Sequence, residues 1–542
     1  MGSLLSRARF ALSSASDALS ELEQVEKRIN TSPGLPVPNP PSSYWALPPS
    51  IIANWGAAAP LPGSADVVII GSGITGMAVA RTLLALAPTT RVVMLEAREA
   101  CSGATGRNGG HLTPDLFHDY EEMRNAYGAQ VAQEIVRFRL ADLPTLLEVC
   151  TEEGILEDSQ CRSVETYDVH FDRAEFESAK ASLAVYLEDM PEQRPKWSFV
   201  ENAEVSTLHL ARCRLLIVSQ ELQLSPERIV GIIATRAGAI HSYRFVTGVL
   251  SRLLERHPDN FQLLTNTPCI SISSDAENYT LTTPKGAIRA KHVVHATNAW
   301  ASHLLPTLRG KIIPIREHMS AQRPGMGLGN SFSTITLPDS WFSKRTFVFY
   351  GENAAAYNYL SQQPVSSSPS KTYPSPCGEF MFGGGLHSGN LLCEIGVADD
   401  RAPNSIGVSA YLGGLLAVYF GSAWGEEGRS LDANTPSGRM LKVWTGIIGF
   451  SADRKPWVGR LPEKLTRRRC PKSSALGFAP PAEWIAAGYS GEGMSYAYLS
   501  GKAIAEMLVQ NATEVVLPEP FVVGEKRWKK ARLRDFDSIL SA

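Results

Sequence analysis

Three glycines in the order Gly-x-Gly-x-x-Gly, Gly71, Gly73 and Gly76, are the residues of this 542-residue chain whose spacing speaks most directly of chemistry. Gly71 permits a tight turn, Gly73 lets backbone approach a pyrophosphate, and Gly76 allows a helix to pack closely on a strand. Ile74 and Thr75 open that helix, whose unpaired N–H groups and positive dipole end favour phosphate. Glu96 follows 25 residues after Gly71, where a carboxylate accepts from ribose hydroxyls, and Ala97 and Arg98 come directly after it. The pattern fits NAD or FAD. A second Gly-rich loop, 102–112 (SGATGRNGGHL), favours FAD, because four glycines and small polar residues suit backbone laid along an extended pyrophosphate and flavin. Asn108 or Arg107 in that loop could reach flavin or phosphate atoms.

These residues need particular elements to hold them. The β-branched run 66–70 reads as a short buried strand, followed by a helix (MAVARTLLALA) and a second strand at 91–96. Helical periodicity recurs at 121–155, 172–190 and 243–256. Strands are expected near 261–272, 278–283, 293–296, 311–323, 345–361, 440–450 and 484–487, with another ending at 381–385 and a last helix at 494–509. A β-rich middle flanked by βαβ pieces implies an α/β fold with an α+β insert: a Rossmann-like dinucleotide domain interleaved with a β-sheet substrate domain. The expected segments are an N-terminal helix and Pro-rich extension (1–63), dinucleotide-domain parts at 64–120, 236–310 and 440–515, a helical part of the substrate domain (121–235), its β-rich part (311–439), and a tail (516–542).

Composition removes other classes. The 52 basic and 54 acidic residues give a net charge of −2, so there is no global electrostatic footprint for nucleic acid or anionic lipid. Eight cysteines without CxxC spacing read as reduced, mostly buried thiols of an intracellular protein, so no metal site is expected. The uncharged stretch 402–425 carries four glycines in its apolar part and reads as a core-packed helix, not a transmembrane span. The first 16 residues hold two arginines and no acid, a mild likeness to a mitochondrial transit peptide, and begin with an acceptor pattern for myristoylation at Gly2. The plainer reading is an exposed amphipathic helix ending near Asn30 in a cytoplasmic protein, with membrane association through the N-terminus as the alternative. Residues 31–64 form an extended Pro-rich segment, with Trp45 and Trp55 available to pin it to a surface.

Taken with four further segments, the loop SGATGRNGGHL resembles the D-amino-acid-oxidase-like FAD-dependent oxidoreductases, the group of sarcosine oxidase, glycine oxidase and gamma-glutamylputrescine oxidoreductase, and their fungal relatives. The other segments are HVVHATNAWASHLLP (292–306), MFGGG (381–385), WTGIIGFSADRKPWVGRLP (444–462) and AAGYSGEGMSYAYLSGKAIAEML (486–508). The resemblance implies that Gly71, Gly73, Gly76 and Glu96 hold the ADP half of FAD. It also implies that Thr105, Gly106, Arg107, Asn108, Gly109, Gly110 and His111 line pyrophosphate and ring edge. Cys269 would meet adenine through its backbone, without a redox role. Ala296, Thr297 and Asn298 match a strand-end contact, and Gly488, Gly491, Glu492, Gly493 and Met494 bring backbone N–H groups near flavin N1 and C2=O. FAD is expected to be non-covalent, since Gly446 stands where sarcosine oxidases carry a tethering Cys, and Arg107 where others carry a His.

The chemistry implied is oxidation of a C–N bond of a small amine or amino acid, with hydride passing to flavin N5 and an imine leaving. Tyr357 and Tyr359 share a strand face by period two and are candidates to orient the amine. Arg316 and His318 are candidates to bind a carboxylate or tune protonation, and His387 is a looser one. Met381 falls where sarcosine oxidase has an oxygen-activating Lys, which leaves oxidase (O2 as acceptor) and dehydrogenase both open. A flavin-dependent hydroxylase, another redox flavoenzyme and a flavin-bound non-redox isomerase or cyclase are the alternatives.

Overall fold

In the computed structural model, the residues described are 19–201, 219, 221–328, 343–351, 357–364, 378–385, 388, 391–401, 406–425, 438–472, 477–510 and 514–533. The expectations for residues 1–16 and for His387 fall outside them.

Seventeen strands run along the chain among the described residues. They are β1 (Ser64–Ile70), β2 (Val92–Leu95), β3 (His111–Leu112), β4 (Arg162–His170), β5 (Ser198–Glu201), β6 (Gly231–Ala239), β7 (Phe261–Leu264), β8 (Ser271–Ser274) and β9 (Tyr279–Thr283). There follow β10 (Gly286–His295), β11 (Ile312–Gln322), β12 (Arg345–Tyr350), β13 (Tyr357–Gln362), β14 (Phe380–Gly383), β15 (Met440–Ser451), β16 (Trp457–Arg460) and β17 (Ala482–Ala487). Four helices bear on the site: α1 (Ile74–Leu86), α2 (Ala129–Glu152), α3 (Ser242–Arg256) and α4 (Gly493–Leu508).

The strands form two sheets. The first has the order β16-β17-β10-β1-β2-β7, with β9 and β8 added beside β10. Its centre is parallel, β1 lying between β10 and β2, and Val67, Val68 and Ile69 of β1 are fully buried. Such a run reads as continuously apolar because both faces are covered: Val67 and Ile69 pack with α1, α3 and α4, and Val68 and Ile70 with Tyr279 and Leu281 of β9 and Ile288 of β10. Close packing of α1 on β1 depends on Gly76: a Cβ there would lie 2.0 Å from the Gly71 carbonyl oxygen. α4 lies against α1, where Gly501 brings the two backbones together.

The second sheet has the order β15-β11-β14-β13-β12-β4-β6-β3, with β5 beside β6. β15 pairs antiparallel with β11 along its whole length, from Ile312↔Ser451 to Gln322↔Met440. The expected boundary at 440 therefore shifts: 440–451 belongs to the second sheet, and the chain returns to the first sheet only at β16.

Three further expectations change in detail. The helix at 19–30 is docked by Val25 and Ile29, which pack with Ile313, Ile315 and Ile395, while its polar side stays exposed. Trp45 is 2% exposed and pins the Pro-rich extension, whereas Trp55 is 47% exposed and does not. The apolar segment Ile406–Trp424 is long and apolar enough by composition to cross a membrane. One side of it, through Leu412, Leu416, Tyr419, Phe420 and Trp424, packs in the core of the second sheet. Its other side is open, with Ile406 88% exposed, so the core-packed reading holds for one face of this helix.

Candidate active site

A single cleft runs from the carboxyl ends of β1, β2 and β10 to the face of the second sheet. Ligands bind at this edge of parallel sheets because helix N-termini and loop backbone converge there.

At the β1 end, Gly71, Gly73, Ile74 and Thr75 line the wall. Glu96 closes it from β2. Its Oε2 accepts from the backbone N–H and hydroxyl of Ser72, at 3.0 and 2.7 Å, and its Oε1 from Arg98 N at 3.0 Å. A carboxylate offers about four acceptor sites, so one remains for a ribose hydroxyl. Ala97, Arg98, Cys269, Thr297 and Asn298 continue the wall. Burial pushes the Cys269 thiol up to about 12, which keeps it protonated. Four buried polar atoms of wall residues, Arg98 Nε, Thr297 Oγ1, Trp300 Nε1 and His303 Nε2, have no hydrogen-bond partner among the described residues. Orphaned groups of this kind fit a bound polar ligand, and together with the glycine cradle they fit the adenosine–pyrophosphate half of FAD.

The second Gly-rich loop holds the middle of the cleft. Thr105, Arg107 and Asn108 line it. Arg107 is a strut: its guanidinium donates to Thr445 O on β15 and to Pro41 O in the extension, and lies 3.6 Å from Asp400. Arg98 donates to both oxygens of the same Asp400 at 2.9 Å. Burial lowers Arg107 to about 10, with the Asp400 charge opposing the shift. Gly106, Gly109, Gly110 and His111 stand behind the wall. Gly109 lets Tyr359 approach, since a Cβ there would lie 2.4 Å from the ring. Gly110 packs on Trp45, and burial takes His111 down to about 4, edge-on to Tyr359 at 5.3 Å.

From the opposite side Gly491, Gly493 and Met494 bring in the N-terminus of α4. Gly488 sits one turn back, donating its N–H to Asn298 Oδ1 at 3.0 Å and so tying the ends of β10 and β17 together. Glu492 points away from the cleft toward Arg139, Asp115 and Asp119.

The second sheet closes the far end with Glu317, Met319, Tyr359, Gly446 and Ile448. Register puts Glu317 opposite Gly446 and puts Met319, Gly383 and Tyr359 in one row, hence on one face. Tyr357 and Tyr359 are on a common face, ring centroids 6.4 Å apart, and the next residue of that face, Ser361, donates to Gly109 O at 2.6 Å. Arg316 and His318 have the opposite parity on β11 and face away. Arg316 Nε donates to Glu394 Oε2 at 2.5 Å, and His318 lies fully buried 4.0 Å from the same carboxylate. The geometry thus withdraws these two from contact with a ligand in the cleft and brings Glu317 forward in their place. Met381 is also off the wall, buried in the core beside Met319 and Ala321.

Several wall residues carry no motif. The extension contributes Gly34, Leu35 and Pro36, and β17 leads to Tyr489, whose hydroxyl meets Thr75 Oγ1 at 2.8 Å. Glu317 carries no signal in the sequence either, since Ile312, Ile313, Pro314 and Ile315 are all buried and give no alternation to count from.

Comparison with known proteins agrees with this fold and with FAD as the cofactor. Residues 66–507 match the family described as "FAD dependent oxidoreductase" (DAO). The chain is 23% identical over 492 residues to "Probable oxidoreductase OrdL" of Rhizobium meliloti, covering 87% of this chain and 91% of that protein. It is 21% identical over 449 residues to gamma-glutamylputrescine oxidoreductase of Escherichia coli, covering 82% and 83%. Among solved structures, L-proline dehydrogenase from P. horikoshii superposes with a TM-score of 0.57 at 16% identity, over 88% of this chain and 100% of that one. Glycine oxidase from Geobacillus kaustophilus gives 0.57 at 16%, over 86% and 99%. At these identities the likeness is one of fold.

Proposed function

Because this chain belongs to the FAD-dependent oxidoreductase family, we propose that it oxidises the C–N bond of an amine or amino acid to an imine. FAD is its cofactor and supplies, when bound, a two-electron acceptor that takes a hydride at N5. The substrate loses that hydride from carbon and a proton from nitrogen, and water afterwards hydrolyses the imine. The protein contributes binding, orientation and exclusion of water. Gly71, Gly73, Glu96 and Arg98 hold the ADP half, and Thr105 and Asn108 the middle. The N-terminus of α4, at Gly491, Gly493 and Met494, offers backbone N–H groups and a positive dipole end where negative charge develops. Tyr359, held by its hydroxyl's donation to Met319 Sδ at 3.1 Å, presents its ring to the amine, with Tyr357 behind it.

The observation that carries this reading is the continuity of the cleft: one cavity joins the dinucleotide cradle to a wall of Glu317, Met319 and Tyr359. FAD is held non-covalently, since Gly446 offers no side-chain nucleophile beside Glu317. The test is the visible spectrum of the FAD-loaded protein under anaerobic conditions with a panel of amines and amino acids. One member of the panel is expected to bleach the flavin, and acid precipitation to release it into the supernatant. A flavin that no amine bleaches but NADPH does would overturn the reading.

A further inference from the structure

The family match begins at residue 66, so family membership does not account for the extension ahead of β1. Part of that extension nevertheless lies in the cleft, where Gly34, Leu35 and Pro36 line the dinucleotide end. Ser32 Oγ and His303 Nδ1 are hydrogen-bonded at 3.0 Å, and Arg98 Nη1 donates to Val37 O at 3.4 Å. His303 follows β10 and Arg98 follows β2, the two strands that flank β1 in the first sheet. Residues 34–36 therefore cross from one side of β1 to the other, over the carboxyl end where Gly71 turns. Further on, the extension runs along the second Gly-rich loop. Arg107 Nη2 donates to Pro41 O at 2.7 Å, and Ser43 Oγ donates to Gly106 O at 2.6 Å.

This stretch is fixed at its ends and lightly held between them. Upstream, Val25 and Ile29 are seated in a core cluster and Arg28 Nε donates to Ile395 O at 2.9 Å. Downstream, Ser43 and Trp45 are both buried. Between 32 and 42 there is no helix or strand and no backbone–backbone hydrogen bond, and Pro38, Asn39, Pro41 and Ser42 are exposed. Single side-chain hydrogen bonds hold it, those with His303, Arg98 and Arg107 and one from Lys442 to Ser42 Oγ at 3.3 Å. Few buried contacts and isolated hydrogen bonds mark a segment that opens at low cost. Pro33, Pro36, Pro38, Pro40 and Pro41 keep it extended and stiff. Gly34 and Asn39, at φ +73° and +53°, bend the chain on either side of 35–38. A stiff piece between two bends moves as one body.

We propose that residues 32–42 are a strap that closes over bound FAD and gates its exchange, lifting between the anchors at Ile29 and Trp45 when FAD enters or leaves. The second sheet closes the far end of the cleft, and the strap crosses the near end above Gly71 and Gly73. The way to the phosphate cradle thus runs through the strap's own seat. When it is closed, Leu35 and Pro36 add apolar surface at the ADP half, which the glycine turn and Glu96 do not supply. The inference rests on FAD as the cofactor and is independent of the substrate that is oxidised. Burial of one leucine side chain is worth about tenfold in an equilibrium, which sets the size of the effect expected.

The test uses the full chain with a site-specific protease sequence inserted after Asn39, an exposed position between the anchors. FAD release is followed by the recovery of flavin fluorescence on dilution, and association by its quenching on mixing with apoprotein, each before and after cutting. Cutting is expected to speed release about tenfold. Association is expected to speed up as well, so that the dissociation constant changes by less than the release rate. The unfolding temperature of the cut apoprotein should match that of the uncut one, because both anchors remain. The double variant Ser32→Ala, Leu35→Ala leaves the chain intact and is expected to move both rates in the same direction. Release that is unchanged by cutting overturns the proposal. Faster release at unchanged association overturns it too, because the segment is then a wall and not a gate.

Discussion

Asp400 should be among the most costly side chains to remove, although it touches no ligand. Its carboxylate is fully buried, between guanidiniums that are themselves only 6% and 4% exposed. Asp400→Ala leaves Arg98 and Arg107 charged without a counter-ion, and removing one partner of a buried pair costs about 3–5 kcal/mol. Arg98 keeps Ser102 O at 3.2 Å and Val37 O at 3.4 Å, and Arg107 keeps Thr445 O and Pro41 O, which offsets part of the loss. The lower end, about 3 kcal/mol, is therefore expected. Because Arg98 and Arg107 both belong to the cleft wall, the loss should appear in FAD affinity as well as in stability. Denaturant titrations of the apo protein and of protein at one fixed excess of FAD would separate the two. Asp400→Asn, which keeps an accepting oxygen but removes the charge, should fall between. An Asp400→Ala protein within about 1 kcal/mol of the parent, with unchanged FAD affinity, would refute the strut.

Gly76→Ala places a methyl 2.0 Å from a backbone oxygen that cannot give way, so purified protein should lack flavin absorbance; normal FAD content would contradict the packing. Cys269→Ala should keep FAD and turnover unchanged, because the buried thiol is held protonated near 12, and a lost flavin signal would show a side-chain role. Burial raises Glu317 from the usual carboxylate value to about 7, so its charged form is present above that pH and is lost as pH falls through it. Amine kcat/KM should accordingly rise through about pH 7, with Glu317→Gln abolishing that limb; the same limb surviving in the variant would assign it elsewhere. Trp45→Ala should cost about 3–5 kcal/mol as a large buried ring is lost together with its indole bond to Asn108 O, and a change below about 1 kcal/mol would mean the extension is not anchored there.

The dinucleotide end could be read from the chain because its demands are local. A turn, a helix N-terminus and an acid lie within 26 consecutive positions, Gly71 to Glu96, and each has a backbone reason. The far end could not, for two reasons. Ile312, Ile313, Pro314 and Ile315 are all buried, so β11 enters with no polar face from which to count, and the choice between Arg316 and Glu317 turns on one residue of register. Arg107, placed by resemblance beside the flavin, is instead committed to partners at Pro41, Asp400 and Thr445, contacts no pattern of spacing announces. Tyr357 and Tyr359 were within reach because period two in a strand survives whatever covers it.

The extension has a consequence for the order in which the molecule can be made. Gly34, Leu35 and Pro36 leave the ribosome early, yet the cleft they line also needs Glu317, Gly446 and Ala497. Arg28 reaches Ile395 and Arg98 reaches Asp400, separations of 367 and 302 residues. Contacts this distant form slowly, and here they exist only once most of the chain has been synthesised. A nascent first half would own the glycine turn and Glu96 but not a closed cleft. Cofactor capture is thus a late event in biogenesis, and a stretch translated before the rest of the cleft wall is among the last to find its seat.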